Sequence, residues 1–160
     1  MPQHQQTRNI LILIGAVLAS AVLQAGAASD RFVQKVKLPS GLTAVVAEGD
    51  FEARSIGSFS VRLYSTENAQ PGDDTTFFVT GVLHERDGAI EKVVLADVDG
   101  DGRVEIVVIV RSAGTGGYLS ARAFGFDKKT VVLRASLAGL AREADPISAL
   151  KQRLKGRARH

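Results

Sequence analysis

The fold class that this sequence predicts is all-β: an antiparallel β-sandwich of about eight strands, followed by a short C-terminal helix or a disordered basic tail. Three observations carry that reading. Short β-rich runs recur along the chain, separated by turn residues at intervals of roughly eight to twelve positions. Several of the runs alternate apolar and polar residues, the period of a half-buried strand. One run, Ile106 to Val110, is apolar throughout, which fits a central strand covered on both faces.

Taken in order, FVQKVKL (Phe32 to Leu38) and LTAVVAE (Leu42 to Glu48) flank Pro39, Ser40 and Gly41 and read as a hairpin. EGDFEARSIGS is a polar connection. SFSVRLYS then alternates, with Phe59, Val61 and Leu63 on one face and Ser58, Ser60, Arg62 and Tyr64 on the other. After a loop centred on Pro71 and Gly72, Thr75 to His84 forms a strand, and Asp87-Gly88 is a turn of the hairpin type leading into Ile90 to Val98. Val104 to Ser112 follows an acidic glycine turn. Tyr118 to Phe126 alternates, with Leu119, Ala121 and Ala123 inward and Ser120 and Arg122 outward, and TVVLRAS closes the β-region. Asp145 before Pro146 makes an N-cap and first helical residue, with Ile147, Leu150 and Leu154 on one side of a short helix that either docks or frays.

The ends differ from this pattern. MPQHQQTRN, the fourteen-residue apolar run ILILIGAVLASAVL and the small residues Ala25 and Ala27 form a secretory signal, too short for a stable transmembrane helix. Residues 1–27 are therefore read as a cleaved signal, 28–135 as the β-domain and 136–160 as a basic tail with a possible helix. The expected location is the periplasm, with no stable membrane insertion. Cysteine is absent, so packing and hydrogen bonds rather than disulfides must hold the exported domain together.

The formal charge of +3 belongs to the ends. Residues 28–140 carry thirteen Lys or Arg against fifteen Asp or Glu, a balance of −2, whereas six basic residues lie between Arg142 and the C-terminus. A nucleic-acid reader carries its positive charge on the folded surface, so no nucleic-acid partner is expected.

Catalytic signals are poor. Beyond the signal only His84 and His160 remain, no GxSxG elbow exists, and the acids cluster in turns without an aromatic-lined cleft. The chain reads as a non-enzyme without cofactor or bound metal. Two turns carry the remaining candidate sites. In DVDGDG (Asp97, Asp99, Asp101, Gly102), alternating carboxylates resemble a calcium loop, but position twelve is Val108 and the flanks are strands. The competing reading is an acidic turn in which Gly100 and Gly102 supply positive φ. In GTGGY (Gly114 to Tyr118), the loop leads into a strand and lacks a Lys-Ser/Thr pair, so it is no phosphate cradle. Tyr118 among glycines suits an interface anchor, and equally a packed hairpin residue.

Three stretches, LPSG–T–VVAEGDFEARSIGSFSVRLYS (Leu38 to Ser65), DDTTFFVTG (Asp73 to Gly81) and KVVLADVDGDG–EIVV–RS–GTGGYLSA (Lys92 to Ala121), resemble the periplasmic inhibitors of invertebrate-type (I-type) lysozymes. The resemblance covers Phe32 to Phe126. It implies an antiparallel β-sandwich, a homodimer, and an I-type lysozyme as partner whose attack on the bacterial wall is blocked. It further implies an inhibitory loop of a serine, two glycines and a tyrosine, matched here by Thr115, Gly116, Gly117 and Tyr118. Threonine in place of serine keeps the hydroxyl and stiffens χ1. The alternative function is a calcium-binding periplasmic β-domain built on DVDGDG.

Overall fold

The computed structural model describes residues 31–67 and 69–157. The segment expected to be a cleaved signal, residues 1–27, therefore lies outside the described residues. Eight strands form two antiparallel four-stranded sheets. The first contains β1 (Val33–Lys37), β2 (Thr43–Glu48), β3 (Ile56–Ser65) and β4 (Phe77–Asp87). The second contains β5 (Ala89–Ala96), β6 (Glu105–Arg111), β7 (Leu119–Asp127) and β8 (Thr130–Leu140), and helix α1 spans Pro146–Arg157. Each sheet is a meander in chain order, so every neighbour along the chain pairs except β4 and β5.

Alternation decides the layers. Phe59, Val61 and Leu63 of β3 meet Val46 of β2 and, from the second sheet, Ile106, Val108, Val110 and Phe124. Those side chains form the inter-sheet core, as in other face-to-face sheet packings. The intervening residues of the second sheet, Val107, Ile109, Leu119, Ala121 and Ala123, form another core against Leu150 of α1. Strand β6 thus has no polar face because one face meets a sheet and the other a helix. The alanines of β7 leave room for the helix to approach.

The helix begins as its sequence signal predicts. Asp145 Oδ1 accepts from Ile147 N at 3.0 Å and Oδ2 from Ser148 Oγ at 2.6 Å. Twelve residues are too few for a stable isolated helix. Full burial of Leu150, worth about 2 kcal/mol, together with half-buried Ile147 and Leu154, holds α1 against β7 and β8.

Two expectations are corrected. Asp87-Gly88 is no hairpin turn: β4 and β5 belong to different sheets, and Gly88 carries the chain across. Its φ is +115°, its amide donates to Ser55 O at 2.8 Å, and an added Cβ would stand 1.9 Å from Arg111 O. Only glycine fits there. Nor does Arg122 point outward. It shares the inter-sheet face of β7 with Phe124, lies 5.9 Å from the centre of the Phe59 ring and pairs with Glu85 of β4 at 2.8 Å. Ser120 shares that face by alternation.

The crossover is fastened by a buried cation. Arg86 is 1% exposed and donates to the carbonyls of Ala53, Arg54 and Ser58 at 3.0, 2.9 and 3.1 Å, and also to Gly88 O. Glu48 lies 3.8 Å away and itself accepts from Ile90 N at 2.7 Å, joining the two sheets.

Candidate functional site

Strand β6 ends in Arg111, and residues 112–118 then form a compact loop before β7. Ser112 N donates to Tyr118 O at 2.9 Å and closes its base, while Gly117 N donates to Gly114 O at 3.0 Å. Thr115 and Gly116 are therefore the central residues of a hydrogen-bonded turn at the tip. Arg111 braces the loop from below: Nη1 donates to Gly117 O at 2.9 Å and Nε to Glu91 Oε2. Thr115 is exposed, and Tyr118 is 56% exposed. The tyrosine ring folds back over Gly116, where an added Cβ would stand 2.4 Å from Cε2. The four predicted residues are thus contiguous on one protruding turn. Glycine at 116 gives the ring its seat and leaves one face of it open to solvent.

Beside Tyr118 lies an open hollow of about 520 Å³, lined also by Asp87, Ser112, Ser120, Arg122 and Gly139. Sequence reasoning missed this hollow, because Asp87, Arg122 and Gly139 come from three strands or their ends. Arg142, assigned to the tail by composition, also reaches the loop: its Cδ lies 3.8 Å from the Cβ position of Gly117. Arg111, paired with Glu91, and Arg142 thus both flank the loop at Gly117.

The acidic turn lies at the other end of β6. Asp97 accepts from Gly100 N at 2.6 Å and Gly102 N at 3.0 Å, Asp99 from Asp101 N at 3.1 Å, and Asp101 from Arg103 N at 2.8 Å. Gly100 and Gly102 both have φ +82°, as the turn reading requires. Carboxylate oxygens of Asp97, Asp99 and Glu105 lie within 4.8 Å of one another. Glu105, which the calcium-loop spacing did not single out, is buried and accepts from Val98 N at 2.9 Å. Burial pushes its carboxyl above the ordinary range, against the Val98 bond, and the neighbouring acids push the same way. His84 sits among core rings. It stacks on Phe59 at 6.0 Å and packs against Phe124 at 5.0 Å, and burial, aided by Arg122, lowers its pKa.

Residues 30–154 match the PliI family, periplasmic lysozyme inhibitors of I-type lysozyme. The chain belongs to that family. Two solved structures agree with the match. The PliI inhibitor from Aeromonas hydrophila is 41% identical, with a TM-score of 0.68, over 75% of this chain and 99% of that one. The same inhibitor in complex with Meretrix lusoria lysozyme is 41% identical, with a TM-score of 0.67, over 75% of this chain and 95% of that one. Among curated proteins, none matches the chain. The PliI family is one of inhibitors located in the periplasm. No described helix of this member is long and apolar enough to cross a membrane.

Proposed function

We propose that this PliI protein inhibits an I-type lysozyme by inserting the Gly114–Tyr118 loop into the enzyme's substrate cleft, protecting peptidoglycan from a host lysozyme. The observation that carries the proposal is the exposed Tyr118 seated on Gly116 of a braced turn, with the Thr115 hydroxyl at its tip. A glycosidase of this kind works with two carboxyl groups across a cleft. The Thr115 and Tyr118 hydroxyls offer donors to such acids, and each hydrogen bond to a charged acceptor contributes about 1.5–3 kcal/mol. The turn's own bonds and Arg111 reduce the conformational freedom lost on association. Gly114, with open space where a side chain would stand, lets the backbone approach a partner, while Gly116 makes room for the Tyr118 ring.

Export by the N-terminal signal places the protein where such an enzyme arrives, and a homodimer belongs to the same reading. Edge strand β4 supports the latter, since Phe77, Phe78 and Leu83 expose apolar surface along it. Lysis of peptidoglycan by an I-type lysozyme, with other lysozyme classes as controls, tests the function. The mature protein should inhibit the I-type enzyme selectively, and Tyr118→Ala should raise the inhibition constant at least about tenfold without lowering Tm. An unchanged constant would move the site elsewhere.

A further inference from the structure

By composition, the connection between β2 and β3 is an ordinary polar loop. The fold pins it on every side. Arg31 donates to the carbonyls of Gly49 and Glu52, Arg86 donates to those of Ala53 and Arg54, and Gly49 N donates to Ser58 O at 3.0 Å. The Glu52 carboxylate turns inward, accepting from Ser58 N at 2.5 Å and Ser58 Oγ at 2.6 Å. It fills the places where a Cβ on Gly49 or Gly57 would stand, 2.5 Å and 2.3 Å from its atoms.

At the apex of this braced segment, Phe51 is fully exposed, at 104% of its reference area, with φ 61°. That choice opposes folding twice. The ring gains nothing from burial, and the left-handed backbone favours glycine or asparagine over phenylalanine. Strain of this sort, held by surrounding hydrogen bonds, is a mark of functional positions. The segment also stands beside the inhibitory loop. Ser55 O accepts from Gly88 N at 2.8 Å, while Arg111 O packs against the α-carbon of the same Gly88. Both loops therefore rise from one end of the sandwich on a shared base.

We propose that Phe51 is a second aromatic anchor for the I-type lysozyme, packing on apolar surface beside the cleft that the Gly114–Tyr118 loop enters. The inference rests on the proposed function. A contact with a second copy is the weaker occupant: on apolar edge strand β4, the two exposed rings, Phe77 and Phe78, pair with Ser65 and Tyr64 at the opposite end from Asp87 and Gly88, and Leu83 lies mid-strand opposite Ser60. A rigid segment presenting one large ring keeps the ordering cost low and the buried area high, the combination that makes an interface anchor.

The test compares inhibition constants of the mature protein, Phe51→Ala, Phe51→Asn, Phe51→Tyr and Tyr118→Ala against one I-type lysozyme, with Tm and solution mass for each. Phe51→Ala and Phe51→Asn should weaken inhibition about tenfold, and Phe51→Tyr should retain most of it. Phe51→Asn should melt no lower than the parent, because asparagine accepts the left-handed backbone. A weaker inhibitor that is equally stable separates contact from folding. Unchanged inhibition in Phe51→Ala and Phe51→Asn overturns the proposal, as does a drop in solution mass, which would assign the ring to a contact between copies. Loss in Tyr118→Ala with none in the Phe51 variants rejects the second anchor alone. Loss in the Phe51 variants with none in Tyr118→Ala rejects loop insertion and keeps Phe51. A parent protein that does not inhibit rejects both.

Discussion

Two glycine-rich turns sit at opposite ends of β6, and they solve the same backbone problem in opposite ways. The acidic turn before Glu105 satisfies its amides with its own side chains: Asp97, Asp99 and Asp101 all accept from residues of the turn. The loop after Arg111 satisfies its backbone with backbone partners and with a side chain from outside, Arg111. Its own side chains are free to face solvent. A turn that spends its side chains on itself has little left for a partner. A turn held by its surroundings can present what it carries. The Phe51 segment follows the second pattern, braced by Arg31 and Arg86.

That contrast can be broken or sharpened by substitution. The largest effect is expected at Arg86, whose charge braces the crossover under both presenting loops. Arg86→Met should cost about 3–5 kcal/mol in denaturant unfolding, since Glu48 is left buried without its partner. Next, Asp97→Ala should cost about 1–2 kcal/mol, the scale of losing a capping carboxylate, with the inhibition constant unchanged. Weaker inhibition in that variant would erase the distinction between the two turns. Arg111→Met reverses the pattern: it should raise the inhibition constant severalfold, roughly 1 kcal/mol for one hydrogen bond, with a change in Tm of only a few degrees.

The smallest effect concerns pH. His84 has a folded-state pKa below its ordinary value of 6.5, so the unfolded chain binds the proton more readily. Its stabilising contribution is complete above pH 6.5 and is lost as pH falls through the lowered folded value. An NMR titration should place the His84 midpoint below 6.5. His84→Gln should flatten the dependence of stability on pH just below that value. Glu105 works in the other direction, since its raised carboxyl favours the folded state at lower pH.

Much of the architecture was legible in the residues. Pro39-Ser40-Gly41 joins β1 to β2 as a hairpin, β3 buries Phe59, Val61 and Leu63, and Asp145 caps the helix. These are local signals, carried by turn chemistry, strand period and capping within a few residues. The candidate loop was also visible as a contiguous run, Thr115 to Tyr118. The Phe51 segment was not, because its bracing arginines are Arg31 and Arg86, far away in the chain.

What the sequence determined by itself was which residues share a face and where the chain turns. Alternation puts Ser120, Arg122 and Phe124 together, and apolar residues on both faces of β6 demand two coverings. Tertiary structure alone decided what those coverings are. The same period of two describes a strand facing water, a sheet or a helix, so Arg122 read as outward until β4 supplied Glu85 and β3 the Phe59 ring. Likewise Asp87-Gly88 carries the local chemistry of a hairpin. Only the carbonyl of Arg111, close against Gly88, shows that the chain changes sheets there and sets two loops on one end. Local preference acts over a few bonds, whereas the choice of layer is made by burial of apolar surface between segments distant in the chain.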